Sequence, residues 1–195
     1  MSSPLRKTPH IAVFASGNGS NAGEIFKYFQ QHPSVKVNLL LSNNPKAYVL
    51  ERAKPFDIPS KIFNRYQFME SDEVLNWLKE YQVTHLVLAG FLWLLPHNIL
   101  TEFPDRIINI HPALLPKFGG KGMYGMKVHA SVKSSGENET GITIHLVNQK
   151  YDEGKILFQA KCPLNIEDSA EQIAVKVNQL ERAYYPRVIE QWING

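Results

Sequence analysis

The chain has 195 residues, of which 44% are hydrophobic and 20% charged, with a formal net charge of +3. This composition is close to the globular average and predicts one domain with a core of ordinary size. The sequence contains no Lys/Arg-rich run and no stretch of about 18 apolar residues, which argues against nucleic-acid binding and against a membrane span. The single cysteine, Cys162, excludes an internal disulfide and a paired-thiol metal site.

These features also bear on the compartment. The N-terminal stretch MSSPLRKTPH lacks the apolar segment of a signal peptide. One unpaired cysteine fits a reducing environment, and we expect Cys162 to be a small core residue in a strand. The sequence therefore predicts a cytoplasmic protein.

The first half of the chain alternates short apolar strands with helical segments. Strands are predicted at residues 10–15, 35–42, 58–63, 85–91 and 106–112, and helices at 22–32, 45–53 and 68–82. In the last of these helices, Phe68, Leu75 and Leu78 are expected to face inward. The fourth strand is apolar almost throughout, which is typical of a parallel sheet covered on both faces. The order indicates an α/β fold: a Rossmann-like, doubly wound, mostly parallel sheet with helices on both faces.

The pattern changes in the last third. Strands at 141–147 and 155–164 follow each other through a short turn-like segment, which predicts an antiparallel C-terminal strand pair extending the sheet edge. A final helix is predicted at 169–185, with Asp168 and Glu171 at capping-box spacing and Pro186 interrupting or kinking its end.

The first candidate site is the loop SGNGSN, Ser16 to Asn21, between the first strand and the first helix. Glycines allow a close backbone approach to a ligand, and the helix that follows offers unpaired N–H groups and a positive dipole end. The loop lacks the Lys of a Walker motif and the third Gly of a dinucleotide motif, so a phosphomonoester is the better ligand. The alternative is a Gly-rich turn with Ser20 or Asn21 as a helix N-cap.

The second candidate is the pair Asn109 and His111, which lie two residues apart at the end of the fifth strand and so point to the same face. Side by side, they could serve as an oxyanion-stabilising amide and an acid–base group, on the same sheet edge as the phosphate loop. The alternative is that Asn109 is a capping amide and that His111 is a structural histidine whose hydrogen bonds are satisfied.

His145 alternates with apolar neighbours and is expected to be a strand residue with a bonded partner. Four further histidines are expected in loops or on helix surfaces: His10, His32, His97 and His129.

The third candidate is Asp152, in the segment that joins the last two strands. A lone Asp before Glu-Gly usually caps a turn. If its strand neighbours the fifth strand, however, its carboxylate would come close to His111 and raise the imidazole pKa.

Four segments together carry a family resemblance: AVFASGNGSNAGEIF, LVLAGFLWLLP, IINIHPALLPKFGG and GITIHLVNQKYDEGKILFQAKCPL. In this order and at this spacing they resemble the phosphoribosylglycinamide formyltransferases, the folate-dependent enzymes of purine biosynthesis. The match extends from about Ile11 to the C-terminal helix. The Asn-x-His pair with a downstream Asp is shared with formyltransferases acting on tRNA or sugars and with formyltetrahydrofolate hydrolases, whereas the phosphate loop selects the ribonucleotide enzyme.

The resemblance implies a single formyltransferase domain over residues 1–195, whose N-terminal half binds the ribonucleotide and whose C-terminal half binds folate and carries the catalytic residues. The implied catalytic residues are Asn109, His111 and Asp152. The implied ribonucleotide-binding residues are Gly19, Ser20, Asn21, Pro112 and Glu181. The implied folate-binding residues are Arg65, Leu92, Trp93, Leu94, Leu95, Asn109, Asn148, Gln149, Lys150, Tyr151 and Asp152. A cis peptide bond between Leu115 and Pro116 is also implied.

By the same resemblance, 10-formyltetrahydrofolate donates the formyl group, the amine of glycinamide ribonucleotide accepts it, and no metal takes part. The expected partners are these two small molecules, and the expected state is a monomer or weak homodimer. Departures from the family pattern are a longer loop after Pro116, Thr140 in place of a histidine, and Trp93 in place of a basic or smaller residue. Two alternatives remain: a formyltransferase on another amine or a hydrolase, and a non-catalytic ligand-binding module.

Overall fold

The computed structural model describes residues 8–195, so most of the stretch considered for a signal peptide lies outside the described residues. The strands are β1 (His10–Phe14), β2 (Lys36–Ser42), β3 (Ser60–Ile62), β4 (His85–Leu88), β5 (Ile107–His111), β6 (Glu139–Leu146) and β7 (Ile156–Pro163). The helices are α1 (Ser20–Phe29), α2 (Val49–Ala53), α3 (Arg65–Met69), α4 (Glu73–Glu80), α5 (His97–Glu102), α6 (Met126–Ser134) and α7 (Ala170–Asn194), with a 3₁₀ turn at Lys54–Phe56.

The strands form one sheet in the order β3-β2-β1-β4-β5-β6-β7. Strands β1 to β5 run parallel, β6 pairs antiparallel with β5, and β7 pairs antiparallel with β6 at the edge. The predicted Rossmann-like sheet with an antiparallel C-terminal strand pair is therefore confirmed. The strand order reverses between β1 and β4, which is the point where open α/β sheets bind ligands.

Both faces of the sheet are covered, because alternate residues of the central strands are buried on opposite sides. Ile11 and Val13 pack against α1, α2, α6 and α7, whereas Ala12 and Phe14 pack against α3, α4 and α5. The second face is rich in aromatic rings, and Phe14 lies 5.3 to 6.3 Å from three other phenylalanines. Phe68, Leu75 and Leu78 are buried in this face, as predicted.

Two local predictions about helices were wrong, and a third was wrong in part. The predicted helix 68–82 is split, because α3 ends at Met69 and α4 begins at Glu73. The capping box of α7 is formed by Ser169 and Gln172, one residue later than the predicted Asp168 and Glu171. Of the interruption or kink predicted at Pro186, the interruption is absent, because helix α7 continues through Pro186 to Asn194.

The parallel strands bring the predicted site residues to one edge of the sheet. The carboxyl ends of β1, β4 and β5 are neighbours, and they lead into the phosphate loop, the segment 89–95 and the His111 turn. Across residues 8–195, no helix is long and apolar enough to cross a membrane.

Candidate active site

The end of β5 presents Asn109 and His111 to the same cavity. Strand β6 lies beside it in antiparallel register, which pairs Asn109 with His145 and His111 with Thr143. Since directly opposite residues of a ladder lie close together, this register determines the neighbours of both candidate catalytic side chains.

Thr143 holds the turn that follows His111. Its hydroxyl donates to the Ala113 carbonyl at 2.7 Å and accepts from the Leu115 N–H at 3.0 Å, so one buried side chain satisfies two backbone groups. The next peptide bond, Leu115–Pro116, is cis, as the family resemblance implies.

Asp152 lies between two imidazole rings. Its Oδ2 is 3.5 Å from His111 Nδ1, and its Oδ1 is 3.5 Å from His145 Nε2. The Gly120 N–H donates to Oδ2 at 2.9 Å. Glycine at position 119 allows this close packing, since a Cβ there would lie 3.3 Å from Asp152 Cβ and 2.5 Å from Leu115 Cδ2. The predicted proximity of Asp152 and His111 is therefore present in the structure.

The pKa values of this cluster have opposing causes. Burial lowers the pKa of His111, and this effect outweighs the Asp152 charge and the Phe118 carbonyl, both of which raise it. The predicted effect of Asp152 on the His111 pKa is therefore present, but the net pKa shift is downward because the ring is only 3% exposed. Burial raises the pKa of Asp152, but the two histidines and the Gly120 N–H bring it below its usual value.

The hydrogen-bond partners of His111 and His145 show which ring nitrogens carry a hydrogen. His111 Nε2 is 2.8 Å from the Phe118 carbonyl, and His145 Nδ1 is 2.8 Å from the Leu146 carbonyl. A carbonyl only accepts, so each of these nitrogens carries a hydrogen. The other nitrogen of His145, Nε2, lies 3.3 Å from Asn109 Nδ2 and 3.5 Å from Asp152 Oδ1, so this ring contacts both the carboxamide and the carboxylate.

A cavity of about 600 Å³ contains these groups. One wall is the segment 91–95 after β4, another is the glycine-rich segment 120–126, and the third is α7. The predicted site residues that line it are Asn21, Leu92, Trp93, Leu94, Leu95, Asn109, His111, Pro112, Lys150, Tyr151, Asp152 and Glu181. Its size and mixed lining suit a small-molecule substrate with an apolar ring and a few polar groups.

The remaining predicted residues do not line this cavity: Gly19, Ser20, Arg65, Asn148 and Gln149. Gly19 and Ser20 directly precede Asn21 in the chain. The guanidinium of Arg65 lies 5.6 Å from the centre of the Trp93 ring, which itself packs on the phenylalanines of the core. Asn148 closes a turn by accepting from the Lys150 N–H at 2.9 Å.

The loop from Ser16 to Asn21, the predicted phosphate site, leads into α1 through Gly19, which has a left-handed backbone with φ of 72° and no side-chain cap. The helix begins at Ser20, so neither Ser20 nor Asn21 is the N-cap, and that alternative reading was wrong. A Cβ at Gly19 would lie 2.3 Å from a methyl group of Val49, so both the backbone angle and the packing require glycine.

Glu181 enters the cavity from α7. The hydroxyl of Tyr185, one turn later, donates to the Leu88 carbonyl at 2.8 Å and fixes α7 against the end of β4. Glu181 is 8% exposed, and burial raises its pKa from 4.5 to about 6, although a hydrogen bond from Asn21 and the charge of Arg182 oppose this rise. The carboxyl can therefore exchange a proton near neutral pH.

Two histidines of the site were not predicted as functional. His129 was expected on a helix surface, but it is 5% exposed, lines the cavity, and has a lower pKa because of burial and the nearby His111. His145 was correctly predicted as a bonded strand residue, yet only the β5–β6 register shows its contact with Asn109. The segment 120–126, which lines the cavity, belongs to the longer loop after Pro116 that was identified in the sequence.

Cys162 is half-buried on the edge strand β7 and was wrongly expected in the core, and burial raises the pKa of its thiol. Within residues 8–195, no group of three or more His, Cys, Asp or Glu side chains is arranged to hold a metal ion.

Comparison with known proteins agrees with this geometry. The chain is 40% identical over 192 residues to the chloroplastic phosphoribosylglycinamide formyltransferase of Arabidopsis thaliana, covering 95% of this chain and 65% of that relative's length. It is 36% identical over 188 residues to the phosphoribosylglycinamide formyltransferase of Bacillus subtilis, covering 93% of each. The crystal structure of the Brucella melitensis phosphoribosylglycinamide formyltransferase superposes with a TM-score of 0.86 at 31% identity, covering 97% of each chain. The formyl transferase family model matches residues 9–189, and the chain therefore belongs to the formyl transferase family.

Proposed function

We propose that this protein transfers a formyl group from 10-formyltetrahydrofolate to the amine of glycinamide ribonucleotide, giving formylglycinamide ribonucleotide and tetrahydrofolate in purine biosynthesis. One observation carries the proposal: the Asp152 carboxylate lies 3.5 Å from the His111 ring, beside Asn109, in a cavity next to a phosphate loop. The relatives named above, which carry this activity in their names, support it.

The two substrates would contact different residues at this edge of the sheet. The phosphate of the acceptor would meet the N–H groups of Gly19, Ser20 and Asn21 at the start of α1, where the helix dipole favours an anion. Its sugar would contact Pro112 and Glu181. The folate ring would lie against residues 92–95 and 148–152, with Arg65 near the more distant part of the molecule.

In the reaction, the acceptor amine attacks the formyl carbon and negative charge develops on the formyl oxygen. The Asn109 amide and protonated His111 would donate hydrogen bonds to this oxygen, and losing one such donor costs about 100- to 1000-fold in rate. The attacking amine gives up a proton, and the folate nitrogen gains one as the C–N bond to it breaks. The negative charge of Asp152 favours the protonated ring against the effect of burial.

One contact must change for this role. His111 Nε2 donates to the Phe118 carbonyl at 2.8 Å, so the ring has to exchange that acceptor for the formyl oxygen. Phe118 belongs to the loop that continues into the cavity wall, so this exchange involves the same segment that encloses the substrates.

The decisive experiment is an assay of the purified protein with 10-formyltetrahydrofolate. Release of tetrahydrofolate that depends on glycinamide ribonucleotide supports the proposal, whereas release without any amine indicates a hydrolase. Ribonucleotide binding without release indicates a non-catalytic binding module. His111→Ala should lower turnover by orders of magnitude without unfolding the protein, and wild-type rates for this variant would remove His111 from the mechanism.

The proposal also includes the domain organisation, the oligomeric state and the compartment. Residues 1–195 would act as one domain, as a monomer or weak homodimer, in the cytoplasm. The continuous seven-stranded sheet supports the single domain, and the single cysteine is compatible with a reducing compartment. Sedimentation analysis and fractionation of the source cells test the oligomeric state and the compartment, and the latter matters because the Arabidopsis relative is named as chloroplastic.

A further inference from the structure

A segment outside the cavity holds the back of the phosphate loop. The carbonyls of three consecutive loop residues each accept a hydrogen bond from the segment 44–52. The donors are Asn44 Nδ2 to Ser16 at 3.3 Å, the Val49 N–H to Gly17 at 3.2 Å, and Arg52 Nε to Asn18 at 2.8 Å. The loop carbonyls are thereby drawn toward α2.

The bond from Arg52 reaches the loop residue that directly precedes Gly19, at the start of α1. In a trans peptide the C=O and the following N–H point in opposite directions within one plane. By fixing the Asn18 carbonyl, Arg52 also fixes the direction of the Gly19 N–H, which belongs to the same peptide unit. Gly19 is the residue at which the chain turns into α1.

Arg52 is itself held in place by several contacts. Its Nη2 donates to Asn18 Oδ1 at 2.6 Å, and its guanidinium lies 5.0 Å from the centre of the Tyr48 ring. Its side chain also passes close to Gly23, where a Cβ would lie 3.5 Å from Arg52 Cδ. Both hydrogen bonds go to neutral oxygens, so neither of them neutralises the positive charge that Arg52 brings to the start of α1.

We propose that Arg52 is a positioning residue for the phosphate of the acceptor: it orients the Asn18–Gly19 peptide toward the phosphate and adds positive charge behind it. This inference rests on the proposed function for the identity of the acceptor. The effect of Arg52 on the Asn18–Gly19 peptide does not depend on which acceptor the protein uses. Arg52 does not touch the reacting atoms, so its effect belongs in acceptor binding and not in the chemical step.

The test compares two acceptors, glycinamide ribonucleotide and the corresponding nucleoside without phosphate. For Arg52→Ala we expect the KM for the ribonucleotide to rise about 10-fold or more, because hydrogen bonds made by a charged group are lost. The kcat and the KM for folate should stay within about twofold of the wild type, as should kcat/KM for the nucleoside. Arg52→Lys should be intermediate, since an ammonium keeps the charge but lacks the fork that holds both oxygens of Asn18.

Lys54→Ala is the matched control, because Lys54 is an exposed cation of the same segment that pairs with Glu51. It should leave both KM values unchanged. A rise in KM for both acceptors alike, or a fall in kcat with unchanged KM, would show that Arg52 supports the fold in general and would overturn the inference.

A second variant and a binding measurement keep the result independent of folding and of the proposed activity. Asn18→Ala removes one oxygen that Arg52 holds, at an exposed position, and should raise the ribonucleotide KM by a smaller factor. Inorganic phosphate added to the wild type should shift the NMR signal of the Gly19 amide, and this shift should weaken in Arg52→Ala. A phosphate response equal in both proteins overturns the role of Arg52, whereas a wild type without ribonucleotide-dependent transfer overturns only the proposed function.

Discussion

Replacing Glu181 by Gln should stabilise the protein at neutral pH while weakening the candidate substrate site. The substitution keeps the shape of the side chain and removes a charge that is 8% exposed. Burial raises the pKa of Glu181 from 4.5 to about 6, which corresponds to about 2 kcal/mol of preference for the neutral carboxyl in the folded state.

The sign and the pH range follow from linkage between protonation and folding. Below pH 4.5 the carboxyl is neutral in both the folded and the unfolded state, so it carries no ionisation cost. Between 4.5 and about 6 the unfolded chain releases its proton while the folded protein retains it, and the stability contributed by the neutral form is lost. Above that range the cost of about 2 kcal/mol is fully present in the wild type and absent in the variant.

The assay is urea denaturation of both proteins at several pH values between about 4 and 8. The free energy of unfolding of the variant, relative to the wild type, should increase by about 2 kcal/mol across this range. Glu70→Gln changes an exposed carboxylate and provides the baseline for the loss of one surface charge. If the stability difference between Glu181→Gln and the wild type does not change with pH, burial does not raise the pKa of Glu181.

Three further predictions concern the site. Asp152→Asn removes a charge that raises the His111 pKa, so the alkaline limb of the pH–rate profile should move to lower pH. The kcat near pH 7.5 should fall by about 100-fold or more. An alkaline limb at the wild-type pH would show that Asp152 does not control the His111 pKa. His145→Leu and Asn109→Ala should each lower kcat, and the loss in the double variant should be smaller than the sum of the two single losses, because the two side chains share a contact; fully additive losses would show that this contact does not matter for turnover. Gly19→Ala should cost about 1 to 3 kcal/mol of stability in urea denaturation and raise the acceptor KM, because φ is 72° and the added methyl has no room; wild-type stability would disprove the packing argument.

The sheet could be predicted because its signal is local and repeated. Central strands buried on both faces read as apolar runs, and helical segments between them carry one apolar side, so the β-α-β-α order is visible without long-range information. The ends of β1 and β5 then had to share one edge, since parallel strands point the same way. That topology is why the phosphate loop and the Asn109/His111 pair could be assigned to one site.

The helix boundaries were harder to predict from the sequence, because at each of them the sequence allows two different local hydrogen-bonding patterns. The apolar periodicity continues across residues 70–72, but the Ser71 hydroxyl donates to the Gln67 carbonyl at 3.0 Å and accepts from the Glu73 N–H at 3.3 Å, which ends one helix and starts another. At α7, the sequences starting at Asp168 and at Ser169 both have capping-box spacing. The Asp168 carboxylate instead pairs with Lys176, which leaves the cap to Ser169.

Helix α7 continues past Pro186 for a tertiary reason. Proline removes one backbone donor from a helix interior and usually interrupts it. Here Tyr185, Val188 and Ile189 on either side are buried against the sheet, and this packing favours continuation. Local propensity gave the wrong answer because it contains no information about what the helix packs against.

The site shows the same division between local and long-range information. Which residue types could act was readable from the sequence, but the net pKa of His111 was not, because that depends on burial as well as on Asp152. The role of His145 depends on the antiparallel register that sets it opposite Asn109. That register also carries the chain from β6 back over the end of β5, where Asp152, with a left-handed φ of 56°, reaches both rings. One long-range strand pairing therefore assembles the whole cluster, and a register shift of one residue would turn His145 to the other face of the sheet and separate the carboxylate from His111.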